Sequence, residues 1–313
     1  MEIFVILILL LTLAVLGISY WCFRFGFYAP RNQIHPEGYV DLPEGEIYEP
    51  FYEDMTRWVL EARAMPQENM TIRSFDGLTL TGRYYELSPD APIEIMFHGY
   101  RGNAERDLSG GVQRCFKLGH SALIVDQRCA GGSGGNVITF GINEHRDCLS
   151  WVDHAIRRFG PEVRIILTGL SMGAATVMMA AGCDLPENVV GVLADCGYTS
   201  AKDIIRLTIK KMGLPVAIGY RFAKLGAYLF GHFDLEETSP MEALQKAKVP
   251  VIFFHGEDDD YVPCYMSKEN FEACASRKRL VTVPGAGHGL SYVVDLEGYL
   301  SSVREFFGPE LCS

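Results

Sequence analysis

The sequence is short of positive charge, of ordered cysteine motifs and of repeats. With 28 Lys and Arg against 39 Asp and Glu, its formal charge is −11. That removes the basic face that phosphate binding requires and argues against a nucleic-acid-binding protein. The nine cysteines are odd in number and irregularly spaced, so no disulfide framework is expected and a reducing compartment fits better. H-E-x-x-H, C-x-x-C and EF-hand patterns are missing, so no metal is implied. A P-loop is missing too, as is a G-x-G-x-x-G at a strand-to-helix junction, so no nucleotide cofactor is implied. No internal repeat or low-complexity tract appears. What is present is a globular composition, 48% hydrophobic, with enough apolar material for a sizeable core.

That material is unevenly spread. From Ile3 to Phe23 no residue is charged, and a helix of this length spans roughly 31 Å, the hydrocarbon thickness of a bilayer. Residues 3–23 therefore read as a single-pass transmembrane anchor, with Tyr20 and Trp21 at the interface. A cleavable signal peptide needs a positive n-region and a shorter apolar core. Here Glu2 offsets the terminal amine, and only Gly17-Ile18-Ser19 loosely resembles a cleavage site. Arg24 and Arg31 follow the segment and no Lys or Arg precedes it, which favours the cytoplasmic side for the rest of the chain by a small margin. Residues 24–69 read as an acidic, Pro-bearing tether carrying one amphipathic helix, Phe51 to Ala64.

From Met70 the pattern becomes strands alternating with helices. Thr71–Phe75 and Thr79–Glu86 flank an Asp76-Gly77 turn and form a hairpin. Six short apolar runs follow, beginning at Ile93, Ala122, Val163, Val189, Val249 and Leu280, separated by helix-length segments. Continuously apolar strands of this kind imply a mostly parallel eight-stranded sheet covered by helices on both faces. One covering helix carries its buried stripe openly, in Cys148, Leu149, Val152, Ala155, Ile156 and Phe159. Residues 201–231 are helical and apolar where a simple crossover needs one helix. They read as an inserted lid, with an enlarged crossover packed on the sheet as the alternative.

Gly169-Leu170-Ser171-Met172-Gly173 fits G-x-S-x-G. It lies between a strand and a small-residue helix, the context of a sharp turn that lifts the serine above the sheet edge at a helix N-terminus. Side chains at 169 and 173 would clash where strand and helix approach. A serine hydroxyl needs a base, and the base needs an acid to hold its tautomer. His288 follows the last strand, and Asp258, Asp259 and Asp260 follow the strand before it. Three such residues in chain order at three strand ends form a candidate triad.

With those residues in view, the chain resembles the α/β-hydrolase superfamily from about Met70 to the C-terminus, as a serine esterase or lipase-like, membrane-anchored member. Four motifs carry the resemblance: His98-Gly99-Tyr100-Arg101-Gly102; Asp126-Gln127-Arg128 with the glycine-rich run after it; the serine elbow; and His255-Gly-Glu-Asp-Asp-Asp-Tyr-Val-Pro263. The resemblance implies one hydrolase domain over 70–313, with Asp259 as the acid and the backbone amides of Tyr100 and Met172 as the oxyanion hole. Asp195 is an alternative acid position in such proteins. Cys129 stands where glycine is common, and Tyr100 is bulkier than usual. Asp126 and Arg128 are expected to tie loops together and His98 to shape the oxyanion turn. His255 is expected to shape its own strand end, and His120, His145 and His154 to be ordinary surface or helix residues. The expected activity is hydrolysis of carboxylic esters, small-molecule or lipid-like, without metal or cofactor. A peptidase or thioesterase with the same triad, an acyltransferase, or a catalytically silent scaffold are the alternatives.

Overall fold

The computed structural model describes residues 1–29 and 38–311. Helix α1 (Glu2–Gly26) contains the uncharged run and is long and apolar enough to cross a membrane. Only its last turns are covered, with Ser19 and Phe23 buried. Part of the expected tether, residues 30–37, lies outside the described residues. Its first residues are no free linker: Phe27 is buried between Phe140 and Phe233, ring centroids 5.7 and 5.5 Å away. Tyr28 makes an antiparallel bridge to Val137. An aromatic pair with a place in the core has no reason to stay in solvent. Helix α2 (Tyr52–Ala64) follows a 3-10 turn and buries Val59 and Ala62.

The sheet is made of β1 (Glu68–Arg73), β2 (Thr79–Tyr85), β3 (Ile93–Phe97), β4 (Ser121–Asp126), β5 (Ile165–Leu170), β6 (Val189–Asp195), β7 (Val251–Gly256) and β8 (Lys278–Val283). Their order is β1-β2-β4-β3-β5-β6-β7-β8. The β1–β2 hairpin joins antiparallel to β4, and β3 to β8 are parallel. As an edge strand, β1 buries Met70 and Ile72 and exposes the residues between, so it begins at Glu68, ahead of the apolar run. The inner strands are buried on both faces, and the helices responsible are α3 (Ala104–Leu118), α4 (Glu144–Phe159), α5 (Met172–Ala181), α8 (Pro240–Leu244), α9 (Tyr265–Ala273), α10 (Ser291–Val294) and α11 (Leu296–Leu311). In α4, Cys148, Val152 and Ala155 of the expected stripe are buried, and Trp151 joins them.

One charge sits inside this sheet. Glu94 of β3 is wholly buried, bonded to Arg114, to His120 Nδ1 at 2.8 Å and to Thr168 Oγ1 at 2.9 Å. Burial opposes its ionisation, but Arg114 and His120 outweigh that and hold the carboxyl down at about 2. His120, expected to be an ordinary surface or helix residue, is instead a buried partner of Glu94, and His145, within helix α4, is buried too, with Nδ1 3.0 Å from the Gly141 carbonyl.

Between β6 and β7 lie α6 (Ala201–Lys211) and α7 (Val216–Gly231). They separate at Met212–Pro215, where Gly213 adopts a left-handed φ of 71° just past the first helix and Pro215 caps the start of the second. Both line the cavity above the sheet's C-terminal edge, and α7 packs against the end of α1.

Candidate active site

Ser171 stands between β5 and α5 with φ 56° and ψ −112°, a backbone conformation that costs a non-glycine residue about 1–3 kcal/mol. The turn survives because its surroundings leave no alternative. A Cβ on Gly173 would lie 2.0 Å from the Phe97 carbonyl oxygen, and one on Gly169 2.1 Å from that of Gly173. Strand pairing holds the elbow from the other side, where Ser171 N–H donates to the Asp195 carbonyl at 2.8 Å.

The loop after β8 brings His288 Nε2 to 2.9 Å from Ser171 Oγ, and the loop after β7 brings Asp259 Oδ2 to 2.6 Å from His288 Nδ1. Of the three consecutive aspartates, Asp259 is buried and Asp258 and Asp260 are exposed. Its Oδ1 accepts the Tyr261 and Val262 amides at 2.9 and 2.8 Å. Burial pushes its pKa up, but His255, His288 and the Val262 amide outweigh that, and the carboxyl sits at about 2. An ionised Asp259 only accepts, so the His288 proton is on Nδ1 and Nε2 is free to take one from Ser171.

Asp195, the alternative acid, faces elsewhere. Its carboxylate accepts from Ser291 Oγ at 2.8 Å and Tyr299 Oη at 3.2 Å, and burial raises its pKa. The backbone amides of Tyr100, on the loop after β3, and of Met172, the first residue of α5, have no hydrogen-bond acceptor among the described residues. His98 accepts the Gln127 amide on Nε2 at 3.0 Å and donates from Nδ1 to the Gly99 carbonyl at 2.8 Å, which fixes the Tyr100 loop. Asp126 accepts the Ala104 and Gly132 amides, and Arg128 forks onto Asp147 and reaches Asp76. Both tie loops together. Cys129 adopts φ 71°, the left-handed conformation that favours glycine.

Two contacts escaped the sequence reading. His255 does more than end its strand: its Nε2 lies 2.7 Å from the Val262 carbonyl and 3.2 Å from Asp259 Oδ2, while Ser267 Oγ lies 2.6 Å from Nδ1. It contacts the same carboxylate oxygen of Asp259 as His288 does. The Tyr100 side chain crosses to α1 and donates from Oη to the Gly26 carbonyl at 2.8 Å. Only the unusual size of Tyr100 in its loop hinted at this.

Above Ser171 and His288 opens a cavity of about 920 Å³, lined largely by apolar side chains that include Ile204, Ile205, Ile209 and Ala223 of α6 and α7. Cys196, Asp259 and His288 offer ligand atoms within 4.8 Å of one another. The Asp259 and His288 atoms are already bonded together, and burial keeps Cys196 a thiol, so the donor set does not suit a cation.

A strained serine on a strand-to-helix turn, facing an acid-backed histidine at the C-terminal edge of a mostly parallel sheet, defines an α/β-type hydrolase. The sequence profile of the alpha/beta hydrolase family matches residues 95–297, and the chain belongs to that family. Among curated proteins it is similar to YqkD of Bacillus subtilis, 28% identical over 245 residues that cover 77% of this chain and 79% of that one. Among solved structures it is similar to the Pyrococcus furiosus esterase, with a TM-score of 0.67 and 21% identity over 91% of this chain and 99% of that one. It is also similar to Est1E of Butyrivibrio proteoclasticus with ferulic acid bound, with a TM-score of 0.61 and 20% identity over 78% of this chain and 100% of that one.

Proposed function

We propose that the protein is a serine hydrolase that cleaves carboxylic esters with apolar acyl groups, held at a membrane by α1. The observation that carries this is the hydrogen-bonded chain Ser171–His288–Asp259 beneath a large apolar cavity. Ser171 Oγ attacks the ester carbonyl carbon and passes its proton to His288 Nε2. The oxygen that becomes negative is received by the Tyr100 and Met172 amides, and such donors are each worth about 3 kcal/mol of barrier. Asp259 stabilises the imidazolium and keeps it oriented. His288 then protonates the leaving alcohol oxygen as the C–O bond breaks. Water attacks the acyl-enzyme with His288 as base, the acid leaves, and the proton returns to Ser171.

Esterases among the structural neighbours fit the same chemistry. The membrane reading is supported by how α1 is used: Ser19, Phe23 and Phe27 are buried in the folded body while most of the preceding turns are exposed and apolar. A cut at Gly17-Ile18-Ser19 would fall inside the stretch of α1 that packs on α7 at Gly226, which fits an anchor better than a signal peptide.

The test is fluorophosphonate labelling of the full chain in detergent, with an ester, thioester and amide panel graded from acetyl to palmitoyl. Labelling and ester hydrolysis that vanish in Ser171→Ala are expected. Undiminished hydrolysis by Ser171→Ala would refute the reading.

A further inference from the structure

One wall of the cavity does not come from the hydrolase domain. Trp21, Cys22, Phe25 and Gly26 of the last turns of α1, with Phe27 just after it, line the same space as Ser171 and His288. This end of α1 is fastened on two sides. On α7, Gly226 lacks a side chain where a Cβ would lie 2.3 Å from the Ser19 carbonyl oxygen, so the two helix backbones approach closely. On the other side, Tyr100 Oη donates to the Gly26 carbonyl at 2.8 Å and Arg101 Nη2 to the Phe25 carbonyl at 2.7 Å. Tyr100 is the residue whose amide faces the reacting carbonyl in the proposed reaction. Two hydrogen bonds thus tie the end of α1 to the oxyanion loop.

The rim of the cavity is apolar as well. Trp21 and Phe25 are 56% and 52% exposed, stack on one another with centroids 5.5 Å apart, and line the cavity. Met212 and Leu214, at the turn between α6 and α7, are likewise exposed and line it. Large apolar side chains around an opening are costly in water and at home in a leaflet. The same turn of α1 continues toward the N-terminus as the exposed apolar helix. Charge points the same way: residues 201–231 hold six Lys and Arg against one Asp, in a chain of net charge −11. Arg206, Lys210, Lys211 and Arg221 of this set are exposed. A basic face beside an apolar anchor matches anionic lipid headgroups.

We propose that Trp21 to Phe27 form part of the substrate site, and that the substrate is a long-chain acyl ester resident in the bilayer. Its chain enters between the end of α1 and the α6–α7 turn and lies along Trp21 and Phe25, with its carbonyl at Ser171. This rests on the esterase reading above and adds the source and path of the substrate. The anchor then selects the substrate as well as locating the enzyme.

The test uses the full chain in vesicles of phosphatidylcholine and phosphatidylglycerol and a long-chain fluorophosphonate with a diazirine at the tail. The probe reacts at Ser171, and irradiation then inserts its tail into the nearest side chain. The expected crosslink falls in the Trp21–Phe27 peptide. A probe that labels Ser171 but crosslinks elsewhere overturns the proposed path and leaves the esterase reading intact. Failure to label Ser171 at all overturns the esterase reading and this inference with it. In the double variant Trp21→Ala, Phe25→Ala, the ratio of kcat/KM for palmitoyl to butyryl esters is expected to fall about tenfold or more, the effect of a few lost methylene contacts. An unchanged ratio, or an equal fall for both esters, would overturn it.

Discussion

The floor of the cavity and its cover are held by different forces. On the floor, Ser171, His288 and Asp259 stand at the ends of β5, β8 and β7 and are located by hydrogen bonds of 2.9 and 2.6 Å. The acid among them is further fixed by two amides and His255. The cover is made of α1, α6 and α7, which meet at an apolar seam through Phe23, Ala223, Ala227 and Gly226, and Tyr100 and Arg101 tie the end of α1 to the floor. Directional bonds fix atoms to a fraction of an ångström, whereas apolar packing fixes surfaces and tolerates repacking. The proposed reacting groups therefore sit on the part fixed by directional bonds, and the surface proposed to meet the acyl chain sits on the part fixed by packing.

The sharpest break in that comparison is at the floor. Ser171→Ala is expected to lower kcat on any ester by at least about 10⁴-fold, because nothing else in the cavity replaces the nucleophile. Steady-state hydrolysis with an active-site titration checks this. Next comes Asp259→Asn, which keeps the shape but leaves His288 without the acceptor that sets its tautomer. A loss of about 10⁴-fold in kcat is expected, with KM little changed. With its carboxyl at about 2, Asp259 stays ionised across the working range, so the acid limb of the wild-type pH–rate profile should not follow this residue.

A third test lies beneath the floor. Glu94→Gln leaves Arg114 buried without its counter-charge and is expected to cost about 3–5 kcal/mol of stability, read from urea unfolding midpoints. The folded value of about 2 lies below the ordinary 4.5. Ionised Glu94 therefore stabilises the fold above about pH 4.5, and that contribution fades as the pH falls toward 2. The variant should lose this part of the acid sensitivity, and an identical pH-stability curve would count against the assignment. The smallest effect is expected in the cover. Gly226→Val pushes α7 off α1 and should cost about 1–3 kcal/mol of stability as overpacking. Fluorophosphonate labelling of Ser171 should persist. Labelling that disappears with this change would mean that floor and cover are one unit, and the comparison would fail.

Much of the floor could be read from the chain because its signals are local. Strands such as Ser121–Asp126 carry a continuous apolar run at Ala122–Val125, the glycines at 169 and 173 bracket Ser171, and Asp259 and His288 each follow an apolar strand at short range. Boundaries moved where pairing outlasted hydrophobicity: β5 extends to Leu170 because Gly169 and Leu170 pair with Ala194 and Asp195. Glu94 was passed over inside an apolar run because its partners, Arg114, His120 and Thr168, arrive from other elements. The grip of His255 on Asp259 depends on how the loop folds back, and spacing alone does not reveal that.

By itself the sequence determined the strand-and-helix order, the Ser171 elbow and the presence of a long apolar N-terminal helix, since each depends on residues near one another in the chain, while the choice of Asp259 for the candidate triad came from the resemblance. Tertiary structure decided that Asp195 turns to Ser291 and Tyr299 while Asp259 faces His288. It also decided that Tyr100 reaches Gly26, 74 residues away, and that the end of α1 closes the cavity over Ser171. These are choices among distant partners, and they are made only when burial of apolar surface brings the elements together and every buried polar group must find a bond.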